Sequence, residues 1–452
     1  MLKRSFRQVL LFLLLALPAA RLAAQSAVKP DSALAAYLGN GDYTYNWELK
    51  ETLPANRMTV YHLLLTSQKW HDAVWTHQLS VIVPDRVDNE QVLMMITGGS
   101  TTAGQPEWRE GASERLLAPL GEIAVRNRAV AALVRQVPNQ PLYDSLKEDA
   151  LISYTLHRYR QDGDATWPLL FPMTKSAVRA MDAVTEFCAE QLGQRVAGFV
   201  VTGASKRGWT TWLAASQDDR VIAAAPMVID MLNMPRSIQY QIEAFGGYSE
   251  QIRDYADLGI LQSFSTPEGE AIVTMIDPYS YRRSLTMPKL LLMGTNDPYW
   301  VTDNVKNYLD SIPGQNFLHY IPNAGHDLRG GDEAMRTLGG FFSTLLTHEP
   351  FPACDYLTRS DGRALTITVG VDAGRLKQAE LWSAVSPTRD FRQAEWSSSP
   401  LAKPERDELV VSVPYPADGY SAFYIDLTYT APNGQDYKLS TRVFMTDKGQ
   451  LL

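Results

Sequence analysis

One serine, one aspartate and one histidine each stand just past an apolar run, in loops rich in small residues. Gly203-Ala204-Ser205-Lys206-Arg207-Gly208 follows the run Val196-Ala197-Gly198-Phe199-Val200-Val201 and opens a helix-like segment from Trp209 to Ser216. A serine among small residues between a buried strand and a helix has the layout of a nucleophile elbow, a tight turn that lifts the hydroxyl clear of the sheet. The usual second glycine comes two residues after the serine; here Arg207 holds that place and Gly208 comes one residue late. Asp297 lies just beyond the strand-like Lys289-Leu290-Leu291-Leu292-Met293-Gly294, and His326 ends Pro322-Asn323-Ala324-Gly325-His326 after the strand-like Asn316–Ile321. Serine is a poor nucleophile until a base takes its proton, and the base needs a carboxylate to fix its tautomer and stabilise the imidazolium. The three residues therefore have the types and the loop placement for acyl transfer. An oxyanion would need two backbone donors. Lys206, directly after the serine, and Gly99 in Thr97-Gly98-Gly99-Ser100 are expected to supply them.

Other residues compete for these roles. Asp230 follows the sixth strand-like run and is the rival acid, while His319 lies inside its own run and reads as a satisfied core histidine. Ser100 reads as a turn cap. Gly98, Arg207, Trp209 and Glu148 are the expected substrate-contacting residues, against ordinary packing or ion pairing as the alternative for each. Glu148 and Asp149 form an adjacent carboxylate pair that could anchor a substrate amine, though adjacent carboxylates more often sit at a helix N-terminus or in solvent.

The elements that must position these residues alternate from about Val60 to Leu346. Strands are expected at Val60–Leu65, Gln78–Val83, Gln91–Ile96, Ala129–Val134, Ala197–Val201, Val221–Val228, Lys289–Met293 and Asn316–Ile321. Helices are expected at Ala112–Arg126, Ser176–Leu192, Lys206–Ser216, Asp303–Ser311 and Asp332–Leu346. This alternation predicts an α/β fold, a hairpin-like start feeding a mostly parallel eight-stranded sheet. The chain order serine, acid, histidine is the one α/β-hydrolases use. Insertions at 138–175 and 230–285 interrupt the pattern where such folds place lids, and carry Tyr143, Trp167, Met231, Met234, Tyr240 and Tyr248. Beyond a linker at His348–Pro352 the pattern becomes purely alternating, as in Leu365, Ile367, Val369 and in Phe423, Ile425, Leu427. That predicts a separate, small β-sandwich over 351–452, after a hydrolase domain at 25–350.

Residues 1–24 read as a secretory signal: Lys3, Arg4 and Arg7, the apolar Val9–Leu17, then Ala19-Ala20 and Ala23-Ala24. The apolar core is too short to span a bilayer. The mature chain is expected to be exported, periplasmic or secreted, with no stable membrane insertion. Without Lys3, Arg4, Arg7 and Arg21 the formal charge of −8 becomes −12. A chain this acidic, with no basic block, argues against nucleic-acid partners. Cys188 and Cys354 are the only cysteines, and sequence leaves open whether they pair. The 7 histidines include no HExxH, so neither metal nor cofactor is expected; His71 and His77 read as surface residues beside a hairpin turn.

Gly203-Ala204-Ser205-Lys206-Arg207-Gly208-Trp209-Thr210-Thr211-Trp212 resembles the hallmark of the PhoPQ-activated pathogenicity-related protein family. So do Pro172–Asp182, Asp277-Pro278-Tyr279-Ser280-Tyr281, Gly294-Thr295-Asn296-Asp297-Pro298-Tyr299-Trp300 and Pro322–His326. Trp382-Ser383-Ala384 and Thr388-Arg389-Asp390-Phe391-Arg392 carry the likeness into the C-terminal region. The resemblance implies an exported α/β-hydrolase-like protein with a small β-rich tail. The elbow is also similar to that of glucuronoyl esterases, which implies esterase chemistry on a saccharide-linked substrate. The expected activity is an exported serine hydrolase, with Ser205 as nucleophile, His326 as base and Asp297 as its orienting acid. Its expected substrate is a small molecule, a saccharide-linked ester or a peptide. The alternatives are a peptidase related to the prolyl-oligopeptidase group, and a non-catalytic binding or signalling protein on a hydrolase scaffold.

Overall fold

The computed structural model describes residues 28–111 and 114–452, so the expected signal at 1–24 lies outside the described residues. A short helix α1 (Ala33–Leu38) leads into an antiparallel meander of β1 (Asn46–Ala55), β2 (Met58–Trp70) and β3 (Ala73–Pro84). Then come β4 (Gln91–Ile96), the small hairpin β5 (Thr101–Thr102) and β6 (Gln105–Pro106), α2 (Leu117–Asn127) and β7 (Ala131–Val134). β8 (Gly198–Ala204), β9 (Val221–Met227), β10 (Lys289–Gly294) and β11 (Asn316–Ile321) complete the sheet, in the order β1-β2-β3-β7-β4-β8-β9-β10-β11. β7 is antiparallel to β3 and parallel to β4, and every pair from there to β11 is parallel. The residues of β10 are all buried, and so are those of β8 before Ala204. Both are near-continuous apolar runs, as strands covered by helices on both faces must be. The covers include α4 (Leu170–Phe187), α5 (Lys206–Gln217) and α9 (Asp332–Leu346). α3 (Glu148–Asp162) lies in the first expected insertion; α6 (Met234–Phe245), α7 (Arg253–Asp257) and α8 (Pro267–Ile276) lie in the second.

From β2 onward the strands lie in the order first, second, fourth, third, then fifth to eighth, which is the α/β-hydrolase arrangement. All eight expected strands are present. β1 is an additional one, an edge strand whose Glu48, Lys50 and Glu51 mask any apolar alternation. The helix expected at Asp303–Ser311 is instead two short 3-10 turns. His77, expected at the surface, is fully buried on β3, bonded through Nε2 to Ser67 Oγ and through Nδ1 to the Arg135 carbonyl. The long β2–β3 hairpin carries it well inside the sheet, and burial lowers its pKa to about 4.

The C-terminal region also departs from expectation. It comprises β12 (Tyr356–Ser360), β13 (Ala364–Gly370), β14 (Leu376–Ser386), β15 (Ser397–Leu401), β16 (Glu408–Pro414), β17 (Tyr420–Thr430), β18 (Asp436–Ser440) and β19 (Phe444–Thr446). β12-β13-β16 form a sheet of their own, but β18-β17-β14-β15 extend the central sheet past β11, with β19 on β17. The two sheets share one buried cluster, and what is corrected is the independence of the region, which pairs with β11 at Leu318 and Ser440. The physical reason lies in the shared core: Ile367, Ile425 and Leu427 belong to one buried cluster with Phe317 and Phe341 of the hydrolase part. Alternation shows which face of a strand is buried, and says nothing of the partner that buries it.

Candidate active site

β8 ends in the turn that carries Ser205, at φ 59° and ψ −124°. A non-glycine residue at positive φ is strained, and such strain collects at functional positions. Two glycines permit the turn. A Cβ on Gly203 would lie 2.7 Å from the Arg207 carbonyl oxygen, and one on Gly208 would lie 2.9 Å from that of Met227. The late glycine thus serves close packing of α5 on β9, and Arg207 is free to carry a long side chain.

His326 Nε2 lies 2.8 Å from Ser205 Oγ, and Nδ1 lies 2.8 Å from Asp297 Oδ2. The tautomer in which Nδ1–H donates to Asp297 leaves Nε2 to accept from the serine hydroxyl. The Tyr299 N–H donates to the other Asp297 oxygen at 2.9 Å, and the Tyr299 ring stacks on the imidazole with centroids 4.1 Å apart. Gly294 lets the acid and histidine loops meet, because a Cβ there would lie 2.4 Å from the Ala324 carbonyl oxygen. Asp230, the rival acid, is buried elsewhere and accepts from Asn304 Nδ2 at 3.2 Å; burial raises its pKa to about 7.

The C-terminal region reaches the same two loops. Asn296 Nδ2 donates to the carbonyls of Phe391, Arg392 and Ala394, the last at 2.7 Å. Asn323 and the Trp396 backbone exchange two hydrogen bonds, at 2.9 and 2.8 Å. Both asparagines lie within motifs visible in the sequence, but no pattern pairs them with a segment 73 to 98 residues away.

Lys206 is the first residue of α5, where helical N–H groups lack an intrahelical acceptor. Gly99, at φ 152°, lies over Gln136, where a Cβ would meet its side chain at 3.0 Å. Gly98 lies against Arg207, and a Cβ there would come within 2.4 Å of Nη2. Arg207 is buried: Nε donates to the Val137 carbonyl at 2.5 Å, and the two Nη atoms donate to Glu148 at 2.7 Å each. Gln140 Nε2 links Glu148 Oε1, at 2.6 Å, to the Gly99 carbonyl, at 3.3 Å. Burial pushes the Glu148 carboxyl up, but Arg207, Gln140 and Lys206 outweigh it and hold the pKa at about 2. Gly98, Arg207 and Glu148, expected to contact substrate, are thus engaged with one another beneath the glycine loop.

Of the expected substrate contacts, Trp209 lines the cavity beside Ser205, and its Nε1–H donates to the Ile276 carbonyl at 2.6 Å. Tyr299 and Trp300 line it too, from the loop after Asp297. Met231 and Met234 of the second insertion also reach it, whereas Tyr240 is buried away from it, bonded to Asp303. Cys188 and Cys354 are both free, their thiols pushed up to about 12 by burial. Among the described residues no helix is long and apolar enough to cross a membrane.

The strand order and the residues at the carboxyl edge of the sheet place the chain among proteins of α/β-hydrolase fold. It matches the PhoPQ-activated pathogenicity-related protein family over residues 34–392, and belongs to that family. It is 30% identical over 427 residues to autocrine proliferation repressor protein A of Dictyostelium discoideum, covering 87% of this chain and 85% of that protein. Among solved structures, acetyl xylan esterase 1 from Thermoanaerobacterium sp. JW/SL YS485 has a TM-score of 0.47 at 15% identity, covering 69% of this chain and 93% of that one. The acetyl xylan esterase from Paenibacillus sp. R4 has a TM-score of 0.48 at 14% identity, covering 68% and 92%.

Proposed function

We propose that this chain is an exported serine hydrolase that transfers an acyl group from a small-molecule ester to water. The observation that carries the reading is the relay from Ser205 to His326 to Asp297, with both contacts at 2.8 Å and the serine on a strained turn. Ser205 Oγ attacks the ester carbonyl as His326 Nε2 takes its proton; Asp297 holds the ring and stabilises the imidazolium. The backbone N–H groups of Lys206 and Gly99 hold the oxyanion, a donor pair worth on the order of 3 kcal/mol per donor to the transition state. His326 then protonates the leaving alcohol, and water repeats the sequence on the acyl-serine. Export rests on the pattern of residues 1–24.

The peptidase alternative loses its amine anchor, because Glu148 is paired with Arg207 and Asp149 with Lys206, the latter at 2.8 Å. The signalling alternative draws support from the name of the Dictyostelium relative. One experiment separates it from catalysis. A small fluorophosphonate should label the mature protein at Ser205 alone, Ser205→Ala should abolish labelling, and His326→Ala should nearly do so. A folded protein that takes no label and turns over no activated ester would sink the enzymatic reading.

A further inference from the structure

A cavity of about 50 Å³ opens beside Ser205. Its walls are Trp209 of the elbow helix, Ile229 and Met231 after β9, Ile238 of α6, and Ile252 and Leu261 of the second insertion. All six are buried or nearly so. Polar groups border it on one side: Asp149, Lys206, Tyr255 and Tyr299. Lys206 Nζ pairs with Asp149 Oδ2 at 2.8 Å, and Tyr255 Oη–H donates to Asp149 Oδ1 at 2.9 Å. A carboxylate or sugar hydroxyl placed against the apolar walls would give up its water without gaining a partner. The volume bears on size: it is a third of the roughly 150 Å³ of an apolar cavity that takes up benzene.

The two halves of an ester place different demands on such a cavity. The acyl half stays bound to Ser205 until water arrives, so an apolar wall beside the serine can hold it through both steps. The alcohol half must leave before that water enters, and a recess that grips it would delay its departure.

We propose that this cavity is an acyl pocket selecting short, uncharged acyl groups of about two to four carbons. The inference rests on the serine-hydrolase reading and narrows it. Uronoyl and aromatic acyl groups are excluded, while a bulky or polar alcohol, a saccharide included, remains acceptable outside the cavity.

The test uses the mature full-length protein and a series of p-nitrophenyl esters: acetate, butyrate, octanoate and benzoate. Catalytic efficiency should stay high through butyrate and fall by about tenfold or more at octanoate and benzoate. Leu261→Ala and Met231→Ala, made separately, should each raise the octanoate-to-acetate ratio by about tenfold. The ratio is internal to one preparation, and titration of Ser205 with a small fluorophosphonate counts the competent sites, so partial misfolding does not blur it. Octanoate or benzoate used as well as acetate by a protein that labels at Ser205 overturns the pocket assignment alone. An unchanged ratio in both variants does the same. Absence of both labelling and turnover overturns the hydrolase reading, and the pocket with it.

Discussion

Glu148→Gln is the sharpest probe of how the glycine loop is held. Both Glu148 oxygens are acceptors: Oε1 takes Arg207 Nη2 and Gln140 Nε2, while Oε2 takes Arg207 Nη1 and lies 3.4 Å from Lys206 Nζ. An amide offers one oxygen, so either orientation turns an NH2 group toward a donor. One charge-assisted bond is lost and one guanidinium N–H is left buried without a partner, together about 2–4 kcal/mol. The Glu148 side chain is 37% exposed, and solvent screening brings the expected loss to about 2 kcal/mol. Because Gln140 continues the network to the Gly99 carbonyl, the glycine loop should loosen with it. A misaligned oxyanion donor costs the transition state more than the ground state, so kcat should fall about tenfold to a hundredfold with KM little changed. The pH dependence follows from the carboxyl held at about 2, below its ordinary value of about 4.3. A depressed pKa gives stability that is present above the unfolded value and lost as pH falls through the folded one. Melting of the two proteins should therefore differ by a constant margin from about pH 5 to pH 8, and the margin should shrink from about pH 4 downward and close toward pH 2. Equal melting and equal kcat at neutral pH would refute the reasoning, as would a margin undiminished at pH 3.

Three further outcomes are expected. Asn323→Ala removes two hydrogen bonds to the Trp396 backbone, so it should lower stability by about 2 kcal/mol and slow fluorophosphonate labelling, measured by melting and by labelling rate. Gly294→Ala sets a Cβ 2.4 Å and 2.5 Å from two backbone oxygens that cannot swing away, and ester turnover should be lost even where circular dichroism reports a folded protein. His319 is buried; that pushes its pKa down, but Asp426 at 3.3 Å and Glu333 at 3.2 Å outweigh it and the value is raised, with Lys438 and Ser440 completing the cluster. A raised pKa gives stability that is full below the ordinary histidine value and lost as pH rises through the raised one, so the melting advantage over His319→Gln should shrink on the alkaline side.

Sequence made the central sheet legible wherever burial on both faces writes a strand as an apolar run, as in Leu290–Met293 and Phe199–Val201. It also made the three loop residues legible, since Ser205, Asp297 and His326 each follow such a run directly. What it hid were relations between distant segments. The ten residues of β1 carry charge on an edge, where no apolar pattern is required. Arg207 and Glu148 looked available to a substrate because sequence shows a charge without its partner, and each turned out to be the partner of the other.

The C-terminal region is the strongest case of this kind. Its alternation suggested a body that stands alone, yet it takes up the free edge of β11 and sends Phe391–Trp396 back to the loops of the acid and the histidine. An edge strand left bare beside an active site would expose unpaired N–H and C=O groups and leave its flanking loops free to move. β18 meets that edge at the pairing of Leu318 with Ser440, while the carbonyls of Phe391, Arg392 and Ala394 fix Asn296 next to Asp297. The same segment therefore completes the sheet and braces two of the three candidate catalytic loops. It follows that removing residues after Leu346 should expose the β11 edge and unseat Asp297 and His326 together, a coupling that two independent domains would not have.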